Sequence, residues 1–389
     1  MMIERCKAFF AKPFFHDFRT LAGLWLLLGV LAAIMKMHSH NNFLIFRGVF
    51  WHAWQGLSLY GAYPQEYWDC NYYGPVFSLV IAPFAVVPEW LGLVMWCVAL
   101  SLFLYVAIRR SLLTSGQQLF VLWFCAHELL TALYMQQFNI AIAAIILLAF
   151  FLIERERDAE ATFFIVLGTL VKLYGIVGLA FFFFSRHKVR FVVSLIGWGL
   201  VLFAAPMVIT SPEYVVGQYQ EWLTSLVGKN GENGESLMQN ISLLGMTHRI
   251  TGLDFSDLWL IGPGLLLFGI PYLRFSQYKH AAFRQTLLAS VLMFVVLFST
   301  GSESSGYIIA FVGVVVWYTV SPWQRNKWDV ALMVFVFVLS SLSPSDLFPA
   351  YLRKEWVQPY ALKALPVTLV WLKLSYEMML RDYAAKMVR

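Results

Sequence analysis

The chain has 389 residues, of which 60% are hydrophobic and only 13% charged, against about 25% charged in an ordinary soluble domain. The apolar residues come in blocks near membrane-spanning length, such as 21–35, 140–153 and 330–342, rather than in alternation with polar ones, which excludes a soluble globular core. The net charge of +6 does not indicate nucleic acid, because the basic residues form short clusters between apolar blocks, the pattern that orients membrane proteins.

Arg5, Lys7, Lys12 and Arg19 precede the first long apolar run. No small-residue cleavage site follows, so the segment reads as an uncleaved signal anchor. The first span is predicted at about 20–37, followed by a long outer loop over 38–75 and a short apolar helix over 76–87 that ends at Pro88. Further spans are predicted at about 89–108, 117–133 and 139–153, with Arg109 and Arg110 closing the first of these and a charged turn, Glu154 to Glu160, the last. The segment 161–184 is long enough for one crossing, yet ERERDAE precedes it and SRHKVR follows it. One crossing would put one charged flank on the wrong side. A helical hairpin broken near Lys172 to Gly175 keeps both flanks inside, and broken helices occur at membrane depth where backbone faces a cavity.

The remaining spans are predicted at about 190–209, 257–274, 283–299, 305–320, 328–344 and 362–375, with outer loops at 210–256 and 345–361. The expected fold is all-α: one polytopic membrane domain over 1–389 with about 12 crossings, both termini cytoplasmic, and amphipathic helices in the long first outer loop. Of the 28 Lys and Arg residues, 19 fall in the segments assigned inside, against five in the three long outer loops (Arg47, Lys229, Arg249, Arg353 and Lys354). That asymmetry sets the orientation. Cys6, Cys70, Cys97 and Cys125 form no metal-ligand pattern, and only Cys70 lies in an outer loop, so no disulfide is expected.

The outer loops hold the candidate chemistry. From Asn42 to Trp54 apolar residues recur at helical spacing, with Arg47 and His52 on other faces, which suggests an amphipathic helix at the interface. Glu66 and Asp69 follow, three residues apart, either as part of a solvated loop or as carboxylates able to deprotonate an acceptor hydroxyl. Gln136, Gln137 and Asn139 interrupt two spans at the outer face, as interhelical hydrogen-bonding groups or as ligands. Lys172 stands at the hairpin tip, and Glu303, Ser304, Ser305 and Tyr307 lie between two spans. An ionisable group at membrane depth costs roughly 2.5–3.5 kcal/mol, which makes Lys172 a functional candidate. In the loop 210–256 the stretch GKNGENGES is expected to be mobile. Gln239, Asn240, Ser242, His248 and Arg249 come after it on an expected helical segment, where Arg249 could fork onto a phosphate.

Several segments resemble glycosyltransferase family 87, membrane enzymes of the GT-C class. NNFLIFRGVFWHAWQGLSLYGAYP followed by YYGPVFSLVIAPFAVVP is similar to the family's first loop and the helix after it. QQFNIAIAAIILLA resembles its Gly-Gln-x-Asn segment, and GTLVKLYGIVGLAFFFFSRHKVR its lysine-containing hairpin. MQNISLLGMTHRITG resembles its Asn-Gln-Ser segment with a following arginine, and GSESSGYIIAFVGVVVW its late Ser-Pro/Tyr segment. The ordered set covers about 40–320.

The resemblance implies an inverting transfer of a mannose-like hexose from a polyprenyl-phosphate donor to a lipid-linked or surface glycan. The expected setting is the extracytoplasmic face of a bacterial inner membrane. It implies a first-loop carboxylate as base, with Lys172, Arg249 and Arg47 against the donor phosphate. Gln137, Asn139, Gln239, Asn240, His248, Glu303, Tyr307 and Tyr73 are the expected substrate contacts. Where the family usually carries an aspartate this chain has Asn42, whose amide cannot accept a proton near neutral pH. Either the base has moved to Asp69 or Glu66, which is the expectation, or the chain is catalytically altered. The sequence makes no cofactor certain, and the need for a divalent cation is open. Glu66 and Asp69 could hold a divalent cation, but two carboxylates fall short of the roughly six oxygen ligands that Mg²⁺ or Ca²⁺ takes. The expected partners are the donor lipid, the acceptor and membrane lipids, with no nucleic acid. The alternatives are a transporter or flippase of a lipid-linked glycan, and a ligase or polymerase that uses a diphosphate carrier.

Overall fold

The structure, a computed structural model, describes residues 12–232 and 237–384. Arg5, Cys6 and Lys7 of the expected signal anchor, and residues 233–236 of the glycine-bearing stretch, lie outside the described residues. Among the described residues every regular element is helical. Three helices among the described residues, Phe18–Lys36, Glu89–Arg109 and Lys188–Val208, are long and apolar enough to cross a membrane. Shorter apolar helices run over Asn139–Glu154, Leu173–Phe184, Leu258–Leu273, Ala281–Leu297 and Ser304–Val320.

Local chemistry sets the boundaries. Pro88 precedes Glu89–Arg109, and Gly56, at φ 71°, closes Asn41–Gln55. Capping boxes built on Thr114 with Gln117, and on Asn326 with Asp329, start Ser115–Phe124 and Lys327–Phe335. Each satisfies backbone N–H groups that a helix start leaves unpaired. The predicted span 117–133 is divided at Cys125 into Ser115–Phe124 and Ala126–Tyr134. Asn139–Glu154, Ala281–Leu297 and Tyr307–Val320 are buried on nearly every side and form the centre of the bundle. A helix apolar all round belongs inside a protein or a membrane.

The segment 158–184 turns back on itself. The α-helix Asp158–Val171 stops at Lys172, whose backbone is extended (φ −147°, ψ 115°), and a 3₁₀ helix Leu173–Phe184 returns. Gly175 packs directly on the backbone of Gly168, a contact that leaves no room for a Cβ. Arg186 beyond one arm pairs with Glu156 before the other at 2.7 Å, so both flanks lie at one end of the molecule.

That end also gathers Glu154 with Arg284 (2.6 Å), Arg155 with the Arg110 carbonyl (2.8 Å), Arg274 with the Arg381 carbonyl (2.7 Å) and Arg325 with Glu377 (3.1 Å). The opposite end gathers the long loops. There Arg47 pairs with Glu89 (3.2 Å), Ser58 donates to Glu221 (2.6 Å), the Leu59 N–H donates to Gln218 (2.7 Å), and the Ile241 N–H donates to the Ser302 carbonyl (2.8 Å).

Two expectations change. The helix Asn41–Gln55 does not simply lie on a surface: Phe43, Ile45, Phe46, Val49, Phe50, His52 and Ala53 are all buried. The glycine stretch is not a loop from its start, because the helix Pro212–Glu232 continues through Gly228 and Gly231. Anchors earlier in that helix hold it: Tyr214 donates to the Leu57 carbonyl (2.5 Å) and Trp222 to the Tyr72 carbonyl (2.9 Å).

Candidate functional site

A cavity of about 590 Å³ opens among the first loop, the hairpin tip, the helix Pro212–Glu232 and the turn before Ser304. The hairpin break puts Lys172 into it, and the first loop is held against that break: the Gly74 N–H donates to the Val171 carbonyl at 3.0 Å. A Cβ at position 74 would collide with the Leu170 carbonyl, so only glycine allows this approach. Asn42 and Asp69 also line the cavity, as do Tyr73, Gln137, Gln239 and Glu303.

The polar groups form a connected chain. Lys172 Nζ donates to Asn139 Oδ1 (2.7 Å) and lies 5.0 Å from the Tyr174 ring centre and 5.6 Å from that of Tyr73. Asn139 Nδ2 donates to Gln137 Oε1 (2.9 Å), and Gln137 Nε2 donates to Glu303 Oε2 (2.6 Å). Gln239 Nε2 donates to the other carboxylate oxygen of Glu303 at 2.9 Å. The amides therefore tie the half-buried Lys172 to an acid across one wall of the cavity, and both Glu303 oxygens are engaged. Asp69 is held differently. It is exposed, it adopts the left-handed backbone region (φ 77°), and one of its oxygens accepts from the Cys70 N–H (2.8 Å). A non-glycine residue with positive φ is uncommon, although Asp tolerates it better than most.

Several predicted residues do not reach the cavity. Glu66 does not line it. Its carboxylate lies 3.2 Å from His52 Nε2 and is half exposed. Burial lowers the His52 pKa below its ordinary 6.5, while the Glu66 charge pulls the other way. The left-handed turn at Asp69 separates the two acids, so their spacing of three residues does not make them partners. Arg47 is committed to Glu89 and to the Ala85 carbonyl (3.1 Å). Arg249 donates to the Gln239 carbonyl (2.7 Å) and the Gln358 carbonyl (3.4 Å), which places it behind Gln239 rather than in the cavity. His248 pairs with Asp257 at 2.9 Å and stacks on Phe255. Asn240 accepts from Ser242 (2.6 Å), and Tyr307 donates to the Ile241 carbonyl (2.9 Å), so both are parts of the supporting framework. Asn139 stands one layer behind the lining and orients Lys172 and Gln137.

Asn42 does line the cavity, with its amide donating to the Met135 carbonyl at 2.8 Å. Cys97 and Cys125 are buried free cysteines. Among the described residues no group of three or more His, Cys, Asp or Glu side chains is arranged to hold a metal ion.

Other groups at or behind the cavity were not singled out from sequence. Lys229 lines its mouth. Behind the turn that carries Glu303, Lys363 Nζ donates to Glu128 (2.7 Å), to the Ser304 hydroxyl (2.9 Å) and to the Ser304 carbonyl (3.0 Å). Glu128 and Lys363 each interrupt an apolar run within a predicted span, and an ionisable residue there is a signal in itself.

No curated protein matches the chain. The model of glycosyltransferase family 87 matches over residues 71–300, more than half the chain, and this stretch contains Tyr73, Gln137, Lys172 and Gln239 of the cavity. The chain is thus an all-helical membrane protein, and it belongs to glycosyltransferase family 87.

Proposed function

We propose that this glycosyltransferase is inverting and moves a hexose from a polyprenyl-phosphate donor onto a lipid-linked or surface glycan, with Asp69 as base and Lys172 beside the leaving phosphate. The observation that carries the reading is that an acid from the first loop and a half-buried cation from the broken hairpin line one cavity. Asp69 is preferred to Glu303 as base because Glu303 has both oxygens occupied by amide donors, which suits it to hold substrate hydroxyls.

In the proposed step the acceptor hydroxyl gives its proton to Asp69 while its oxygen bonds to the anomeric carbon. The bond from that carbon to the phosphate oxygen breaks, and its electron pair leaves with the phosphate. Lys172 offsets that charge, as a positioned cation does where negative charge develops in a transition state. Gln137 and Gln239 hold Glu303 in place, and Asn139 holds Lys172.

In the proposed topology the chain crosses the membrane about 12 times, the hairpin counting as two, with the cavity on the extracytoplasmic side of a bacterial inner membrane. The basic clusters at the far end of the bundle support that orientation. No divalent cation is invoked, since Asp69 alone supplies the base.

Purified protein, a polyprenyl-phosphate hexose and a glycolipid acceptor test the reading by product mass. Transfer should be seen with the wild type and should fall by about 10²–10⁴-fold in Asp69→Asn, the usual contribution of a general base. Movement of the lipid without a new glycosidic bond, or full turnover in Asp69→Asn, would overturn it.

A further inference from the structure

We infer that Lys229 is a second phosphate-binding cation, which takes the charge that develops on the lipid phosphate as the sugar leaves. The inference rests on the proposed donor class.

The charge balance calls for such a group. A phosphodiester donor carries one negative charge. Once the sugar has left, the monoester carries about −1.5 to −2 at neutral pH. Lys172 supplies one positive charge, but it shares the cavity wall with Glu303, to which it is connected through Asn139 and Gln137. Asp69 brings a second carboxylate to the same cavity. A lipid phosphate entering there meets two acids and the half-buried Lys172, so the added charge of the product needs another cation. Arg249 and Arg47, which the sequence suggested for this task, do not line the cavity, whereas Lys229 does.

Lys229 is the remaining cation among the cavity-lining residues. It is partly exposed, and its Nζ lies 4.8 Å from the centre of the Tyr72 ring, itself part of the lining. Its own helix supplies the apolar rim beside it. Leu223, Leu226 and Val227 line the cavity, and Leu223 and Val227 are nevertheless 60% and 76% exposed. Lys229 follows Leu226 at i+3, so cation and apolar rim share one side of the helix. That is the pairing a prenyl phosphate requires: an ammonium for the head group and apolar side chains for the first isoprene units. The helix is docked on the first loop through Trp222, Glu221 and Gln218, which fixes the mouth relative to Asp69.

The test measures binding of a polyprenyl monophosphate and of the matching polyprenyl-phosphate hexose to the full-length protein in detergent, alongside turnover. Lys229→Gln should weaken monophosphate binding about tenfold, the size of one hydrogen bond to a charged group. The diester donor should weaken by less, and Lys229→Arg should restore both. Lys354→Gln, an exposed outer-face change away from the cavity, should leave both affinities at wild-type values. Equal affinity of wild type and Lys229→Gln for the monophosphate would overturn the inference even if transfer is seen. Loss of monophosphate binding in a protein that transfers no sugar would keep the phosphate site and remove the transferase reading instead.

Discussion

Asp69 and Glu66 stand three residues apart and differ in everything that bears on catalysis. Asp69 lines the cavity with a free carboxylate oxygen, whereas Glu66 is turned to His52. Glu66→Gln should therefore leave turnover near the wild-type rate, and a turnover loss comparable to that of Asp69→Asn would show that both acids serve the reaction. Asn42 sharpens the assignment. It lines the same cavity at the position where the family resemblance expects an aspartate. If the base has moved between the two positions, Asn42→Asp placed in the Asp69→Asn background should recover about tenfold or more of the lost rate, since a carboxylate would again face the acceptor. A double variant as inactive as Asp69→Asn would mean that position 42 cannot reach the hydroxyl.

At the scale of elements, the site depends on a contact between the end of the first loop and the hairpin break. Gly74 lies directly against the Leu170 carbonyl and donates to Val171, two and one residues before Lys172. Gly74→Ala should push the loop off the hairpin. Its thermal midpoint should fall by an amount equivalent to about 1–3 kcal/mol, the usual cost of overpacking, and transfer should drop although Asp69 and Lys172 are both intact. Normal turnover in that variant would mean the contact does not position the site. Much of this scale was legible in the sequence. The hairpin followed from charge on both flanks of 161–184, and the long apolar helices Phe18–Lys36, Glu89–Arg109 and Lys188–Val208 followed from the lengths of the apolar runs. The helix Pro212–Glu232 was not legible at its end, because Gly228 and Gly231 each cost about 1 kcal/mol in a helix and a local reading stops there. Contacts from Tyr214, Gln218, Glu221 and Trp222 to the first loop outweigh that cost. The partners of Arg249 and Glu66 were hidden for a similar reason: which carbonyl or imidazole a side chain meets depends on packing between segments far apart in sequence.

At the scale of the whole molecule, one buried ion pair links the bundle to the cavity. Glu128 and Lys363 are 0% and 4% exposed and 2.7 Å apart, and they join Ala126–Tyr134 to the start of Ala364–Leu380. Removing one member leaves an uncompensated charge in the interior, so Glu128→Gln or Lys363→Met should destabilise the protein by about 3–5 kcal/mol. Replacing both with apolar residues is often neutral, and Glu128→Leu with Lys363→Met should recover most of the lost thermal stability. Activity should not recover with it. Lys363 also holds the Ser304 hydroxyl and carbonyl, and the Ser305 hydroxyl next to it accepts from Asn139 and donates to Gln137, the amides that orient Lys172 and Glu303. The double variant should therefore be folded and have lower kcat, while affinity for the polyprenyl monophosphate at the Lys229 mouth changes little. If stability and kcat return together, the pair only holds helices; if stability alone returns, Lys363 acts through the Ser304 turn as a positioning residue for the cavity wall.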